Sequence, residues 1–398
     1  MLKIATGTFL SLHLALDVVI TQIFLIFFAM EGRYELAAAV PVADSLLKLT
    51  LALPGAAVAS LCTQRQRLVL CSIIRPAATC IWIAAVESLT RGQFHIAISL
   101  FLTFKLAAII DGTMSSDLQF LARDAFGIDL TQQASIQNII ARGSLAIAPA
   151  IALKLNQGHL SPDGALPLLA AFSVGSFYML RARLAPQANN TLSARKQGDT
   201  TRLYSGIGVF RNKLMRWGLL YQLTVNFSFS GITYLLAIEL QGESNFSLNS
   251  LTIFYALFFS YQIAVMIAGD TVVPAKEIRH IVVIITLSAT ATIAVGITNE
   301  NWLTLILCAI MGILYGFEIQ SIQKIVIAGV RGPDFIEYCA WSKTCSRIAS
   351  AASVAILGFA VGSGVPSPAL LVVSGLLGCA SALLLNIVNP ERTIGLSS

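Results

Sequence analysis

Apolar residues in this chain come in long uninterrupted runs, separated by short polar turns. Runs long enough to cross about 30 Å of hydrocarbon occupy 5–30, 36–62, 68–89, 94–121, 131–156, 164–180, 214–239, 247–269, 280–298, 302–328, 335–361 and 367–388. Each is too long for a buried strand, so the pattern predicts twelve transmembrane helices. The first run exceeds the apolar core of about 7–15 residues of a signal peptide, and Asp17 interrupts it. It reads as a retained helix. The longest polar stretch, 185–212, contains "PQANNTLSARKQGDTTR" and divides the runs six and six. Its end, "GIGVFRNKLMRW", mixes apolar and basic residues and predicts a short interfacial helix. The expected organisation is a six-helix bundle over 1–184, a cytoplasmic linker over 185–213 and a second six-helix bundle over 214–398.

Composition agrees with this pattern. The 398 residues are 56% hydrophobic and 12% charged, against about 25% charged in a soluble domain. A net charge of +6 would suit a nucleic-acid partner, but its distribution points to the membrane instead. An even number of spans puts both termini on one side. That side holds sixteen of the 26 Lys and Arg, among them Arg65, Arg67, Arg181, Arg195, Lys196, Lys276 and Arg279. The other side holds three (Arg33, Arg91 and Lys154), and seven lie inside spans. The positive-inside rule therefore places both termini in the cytoplasm and the chain in the cytoplasmic (inner) membrane. The seven cysteines all fall in apolar runs without a CxxC pair, which predicts reduced, packed thiols and no metal site.

The two halves resemble each other. "DGTMSSDLQFLARDAFGIDL" from Asp111 lies over "YGFEIQSIQKIVIAGVRGPDF" from Tyr315. At a constant offset, Asp129 falls on Asp334 and Arg142 on Arg347. Parallel six-helix repeats are a transporter architecture, with the substrate site near the bilayer midplane.

At this point the chain resembles the major facilitator superfamily along nearly its whole length. The family's signature between its second and third helices is a Gly, an Asp and paired basic residues. Gly55, Arg65 and Arg67 match it, while Ser60 or a neighbour stands where the Asp is expected. The second copy keeps Gly269, Asp270, Lys276 and Arg279. The resemblance implies that these residues form a cytoplasmic latch, with the first Asp missing. The fifth span, "RGSLAIAPAIA", offers Ser144, Ala148, Pro149 and Ala152 where the family's antiporters carry a glycine-rich motif; the match is degenerate and implies export. An all-α membrane protein of two pseudo-twofold-related bundles, working as a monomer by alternating access, is the expected fold and mechanism.

An ionisable group inside a membrane is costly, so each one calls for a reason. They are concentrated in spans that line or flank the cavity of the resembled fold: His13, Asp17, Asp44, Lys48, Lys105, Asp111, Asp117, Arg142, Glu318, Lys324, Glu337, Lys343 and Arg347. In the third span, Arg75 is expected to snorkel to the cytoplasmic edge. The pairs His13/Asp17, Asp44/Lys48 and Lys343/Arg347 are spaced one helical turn apart. Two can neutralise themselves; Lys343 with Arg347 requires an anion or an acidic side chain. With Lys48, Lys105 and Arg142 they predict a basic cavity for an anionic substrate. The competing role for Arg142 and Arg347 is structural bonding across helices; for Asp111 and Asp117 it is a helix-end or latch role. Asp17 with His13, and Glu318, are the candidate protonation sites. Asn226, with Tyr221, Tyr261 and Gln262, supplies polar groups to the seventh and eighth spans.

The expected function is proton-coupled export of an anionic or zwitterionic small metabolite, such as a siderophore, peptide antibiotic or drug. Alternatives are uptake of an organic anion with protons, a lipid flippase, or a membrane sensor without turnover. An enzyme is disfavoured, because only His13 among the four histidines lies deep and no nucleophile motif surrounds it. No phosphate cradle, cofactor or nucleic-acid partner is expected.

Overall fold

The structure is a computed structural model that describes residues 2–62, 64–115, 130–156, 171, 174–175, 178, 181–182, 212–232, 234–235, 248–272, 278–298, 300–329 and 333–390. Among these, the backbone forms eleven long helices and no strand. They are α1 (Leu2–Met30), α2 (Tyr34–Leu61), α3 (Gln64–Thr90), α4 (Phe94–Ser115) and α5 (Leu130–Asn156). The later ones are α6 (Lys213–Phe229), α7 (Leu248–Val272), α8 (Ile278–Ile297), α9 (Asn301–Gly329), α10 (Pro333–Gly362) and α11 (Ser367–Ile387). Helix α6 thus corresponds to the seventh predicted span. The sixth span is described only at isolated helical positions between 171 and 182. Of the segment expected to form an interfacial helix, 206–211 lies outside the described residues, while 213–217 instead begin α6, with Met215 and Trp217 buried. Among the described residues, six helical stretches are long and apolar enough to cross a membrane: Arg65–Thr90, Phe94–Gly112, Ile278–Ile297, Trp302–Ile322, Trp341–Gly362 and Ser367–Ile387.

The helix ends follow from local chemistry. Three interhelical turns share one design in which the chain passes through a glycine with positive φ: Gly32 (+70°), Gly92 (+74°) and Gly364 (+85°). In each, the glycine N–H and the next N–H return to carbonyls of the last helical turn, as in Gly32 to Ala29 (3.1 Å) and Arg33 to Phe28 (2.9 Å). Residues with a Cβ pay a steric penalty in this left-handed conformation, so glycine ends these helices and lets the chain reverse at once. Helix α6 starts at Asn212, whose side chain accepts hydrogen bonds from the N–H groups of Leu214 and Met215.

By contact, the chain forms two compact units. One contains Met1–Phe27 and Leu47–Thr200; the other contains Phe28–Leu46 and Thr201–Ser398. In the first, α3 packs along α4. In the second, α7 packs on α9, α6 on α10 and α8 on α11. The segment 28–46, which joins α1 to α2, groups with this second unit, where the Tyr234 hydroxyl donates to the Tyr34 carbonyl (3.0 Å). Close helix approach there depends on missing side chains. A Cβ on Gly312 of α9 would lie 2.3 Å from the Phe258 carbonyl oxygen of α7. Meanwhile Phe359, Ile267 and Ile387 are largely exposed. In water such a surface would be anomalous; against hydrocarbon it is the expected covering.

Candidate functional site

Three charged side chains meet inside the first unit, each from near the middle of its helix. Asp17 projects from α1, Lys48 from α2 and Lys105 from α4. The Lys48 ammonium donates to Asp17 Oδ2 at 2.8 Å. The Lys105 ammonium donates to Asp17 Oδ1 at 2.6 Å and to the Asp17 backbone carbonyl at 2.8 Å. Its third contact is to Thr21 Oγ1, whose own hydroxyl proton goes to the Asp17 carbonyl (2.8 Å). Lys105 is fully buried and rests over the Phe101 ring, with its nitrogen 5.4 Å from the centroid. Phe101 is itself packed on Phe24 (4.8 Å between centroids). Trp82 of α3 donates its indole N–H to the Leu16 carbonyl (3.1 Å).

The arrangement has a direct physical cause. A buried ammonium is tolerated when a counter-charge and further acceptors replace its water shell. One carboxylate between two lysines does this. The sequence marked Asp17, Lys48 and Lys105 as buried charges but not their association: the one-turn spacing offered His13 to Asp17 and Asp44 to Lys48. The ion pairs of Asp17 run between helices, to Lys48 and Lys105, and the His13 side chain lies outside the described residues. Thr21 and Trp82 were not anticipated. Thr21 sits one turn after Asp17 on the same face, and a buried Trp N–H needs an acceptor; those were the available signals.

A second buried ion pair corrects the expectation for Arg75. It does not snorkel: it is buried on the α4 side of α3, and its Nε donates to both oxygens of Asp111 at 3.0 Å. Asp111, near the described end of α4, is accordingly buried and held by Arg75. Nearby, Tyr178 donates to the Ser72 carbonyl (2.9 Å) and Arg181 to the Ser72 hydroxyl (2.8 Å).

In the second unit, Glu318 of α9 is buried and accepts a 2.6 Å hydrogen bond from the Tyr221 hydroxyl of α6. The Tyr221 ring stacks near Trp217, whose indole N–H donates to the Leu385 carbonyl (3.1 Å). Asn226 is occupied along its own helix, donating to the carbonyl and side-chain oxygen of Gln222 (both 2.8 Å). On α10, Arg347 is half-buried and Lys343 exposed; Arg142 is half-buried on α5, where Pro149, Ala148 and Ala152 are buried. Arg65 is exposed and Arg67 half-buried at the start of α3, and Arg279 is exposed at the start of α8. The side chain of Asp270, the surroundings of Gly55, and Asp117 lie outside the described residues. Among the described residues no group of His, Cys, Asp and Glu could hold a metal ion.

No model of a known protein family matches the chain, and no curated protein matches it. Solved structures do. The E. coli fucose:proton symporter superposes with a TM-score of 0.58 at 12% identity, covering 96% of this chain and 98% of its own. A D-xylose-proton symporter gives 0.65 at 10% identity, covering 97% of each chain. A bacterial homologue of the iron transporter ferroportin, in its outward-facing state, gives 0.59 at 14% identity, covering 97% and 98%. The chain therefore has the major facilitator fold that its sequence resembled.

Proposed function

We propose that this protein is a secondary active transporter that carries a small organic or inorganic anion together with a proton. The observation that supports it is the Asp17–Lys48–Lys105 cluster, which sits mid-helix, where a substrate site near the bilayer midplane is expected. The sign of coupling follows from electrostatics. An anion docked beside Lys48 favours the protonated form of every group near it. By linkage, protonation then favours anion binding to the same extent. Protonating Asp17 also releases the oxygens that hold both ammonium groups. Anion and proton thus bind together, which is symport. Two of the similar structures are proton symporters by name. The coupling sign moves the weight from export by antiport to movement of the anion with the proton.

In this scheme Asp17 takes the proton, and Arg142, Lys343, Arg347 and Asn226 are further candidates for substrate contact. Glu318 with Tyr221 is a second candidate proton site. The chain works as a monomer, and the two bundles, 1–184 and 214–398, rock about the site while the signature residues Gly55, Arg65, Arg67, Asp270 and Arg279 latch its cytoplasmic face. Both termini are cytoplasmic in the inner membrane, on the strength of the sixteen-to-three distribution of basic residues. A second scheme, export of a zwitterion, is favoured by the buried small-residue stripe around Pro149. The ammonium end of a zwitterion would compete with protons for Asp17, as antiport requires.

The experiment is to reconstitute the protein in liposomes loaded with a pH-sensitive dye and add mono-, di- and tricarboxylates, organic phosphates and amino acids. Acidification of the lumen on adding an anion outside supports symport. Alkalinisation on adding a zwitterion to proton-loaded vesicles supports antiport. No pH response with any compound contradicts both.

A further inference from the structure

The two lysines of the cluster are not equivalent, although both hold the same carboxylate. An ammonium has three N–H donors and no acceptor. All three donors of Lys105 have acceptors inside the first unit: Asp17 Oδ1, the Asp17 carbonyl and Thr21 Oγ1. Its side chain is 0% exposed, and the Phe101 ring lies against it. No new ligand can reach it without breaking one of these bonds. The Lys48 side chain is 24% exposed, and its ammonium holds the opposite oxygen, Oδ2.

The backbone reinforces this difference. The consecutive carbonyls of Leu16 and Asp17 each receive a side-chain donor from another helix, Trp82 of α3 and Lys105 of α4. These bonds fix α1 against α3 and α4 at the very residue that carries the carboxylate. If an anion draws Lys48 away, Asp17 keeps Lys105 and is not left as an uncompensated buried charge. If an anion drew Lys105 away, the carboxylate would lose its nearest cation and α1 would lose its tie to α4.

We propose that Lys48 is the substrate-facing cation of the site, exchanged between Asp17 and the anion, and that Lys105, with Thr21 and Trp82, is a positioning residue that holds Asp17 in place and does not touch substrate. This assignment rests on the anion:proton symport described above.

The test is amine footprinting of the native protein. A brief exposure to acetic anhydride, read residue by residue by mass spectrometry, is made with and without succinate, citrate or inorganic phosphate as probe anions. Lys48 is acetylated in the folded protein and a probe anion slows it, whereas Lys105 reacts only after unfolding. In transport assays with that anion, Lys48→Arg raises KM with the maximal rate retained. Lys105→Arg lowers the maximal rate with KM retained, a split that a general loss of folded protein would not produce. Acetylation of Lys105 as fast as Lys48, or protection of Lys105 by the anion, overturns the assignment and leaves symport standing. If Lys48 reacts but none of the anions changes either rate, both symport of these anions and the substrate-facing role of Lys48 are overturned.

Discussion

Lys105 and Asp17 meet at two points: the ammonium donates to the carboxylate at 2.6 Å and to the same residue's backbone carbonyl at 2.8 Å. A side chain that holds both the charge and the backbone of its partner fixes a position as well as neutralising it. Replacing Lys105 with Met therefore removes an ion pair and a tie between α4 and α1. Asp17 keeps Lys48, so no charge is stranded, and the cost is that of lost hydrogen bonds to a charged group, about 1.5–3 kcal/mol each. The expected result is a large fall in the thermal unfolding temperature in detergent. Lys48→Met, at a quarter-exposed side chain, should cost less.

The Arg75–Asp111 pair offers a test that does not involve the site. Both side chains are about 5% exposed or less. Arg75→Leu and Asp111→Leu should each destabilise by about 3–5 kcal/mol, because each strands a buried charge. The double variant strands none and should be more stable than either single variant. A thermal-unfolding double-mutant cycle reads this coupling directly.

In the second unit, Tyr221→Phe deletes the hydroxyl that donates to Glu318 and leaves the ring that stacks near Trp217. Loss of a donor to a buried acceptor costs about 1–3 kcal/mol. The variant should unfold at a lower temperature, and Tyr221→Phe combined with Glu318→Leu should recover part of the loss.

Two glycines separate packing from helix propensity. Gly312→Ala drives a methyl group toward the Phe258 carbonyl, whereas a Cβ at Gly112 meets nothing within 4 Å. Overpacking costs about 1–3 kcal/mol, so Gly312→Ala should destabilise. Gly112→Ala gains helix propensity of about 0.5–1 kcal/mol and should be neutral or stabilising. Thermal unfolding of the two variants side by side checks the opposite signs.

The fold was legible in the sequence because its main determinant is one-dimensional. Apolar runs of membrane length, the polar break near residue 200 and the sidedness of Arg and Lys can all be counted along the chain. The individual members of the site were legible for a related reason: a charge such as Lys105 inside "FLTFKLAAII" is costly enough to be conspicuous. Their partners were not. Helical spacing reports which side chains share a face of one helix, so it could pair Asp44 with Lys48 but could not show that Lys48 reaches Asp17, 31 residues away on another helix. Arg75 was misplaced for the same reason. Its position along α3 said how deep it lies, but only the rotation of α3 against α4 puts it on Asp111 instead of at the membrane edge.

In the proposed symport, anion and proton bind together. It is tested most directly by calorimetric titration of the detergent-solubilised protein with a transported anion in two buffers of different ionisation enthalpy. The difference between the two heats counts protons. Net proton uptake on anion binding is expected in the wild type, and its loss in Asp17→Asn. Proton release on binding, or heats independent of the buffer, would contradict it.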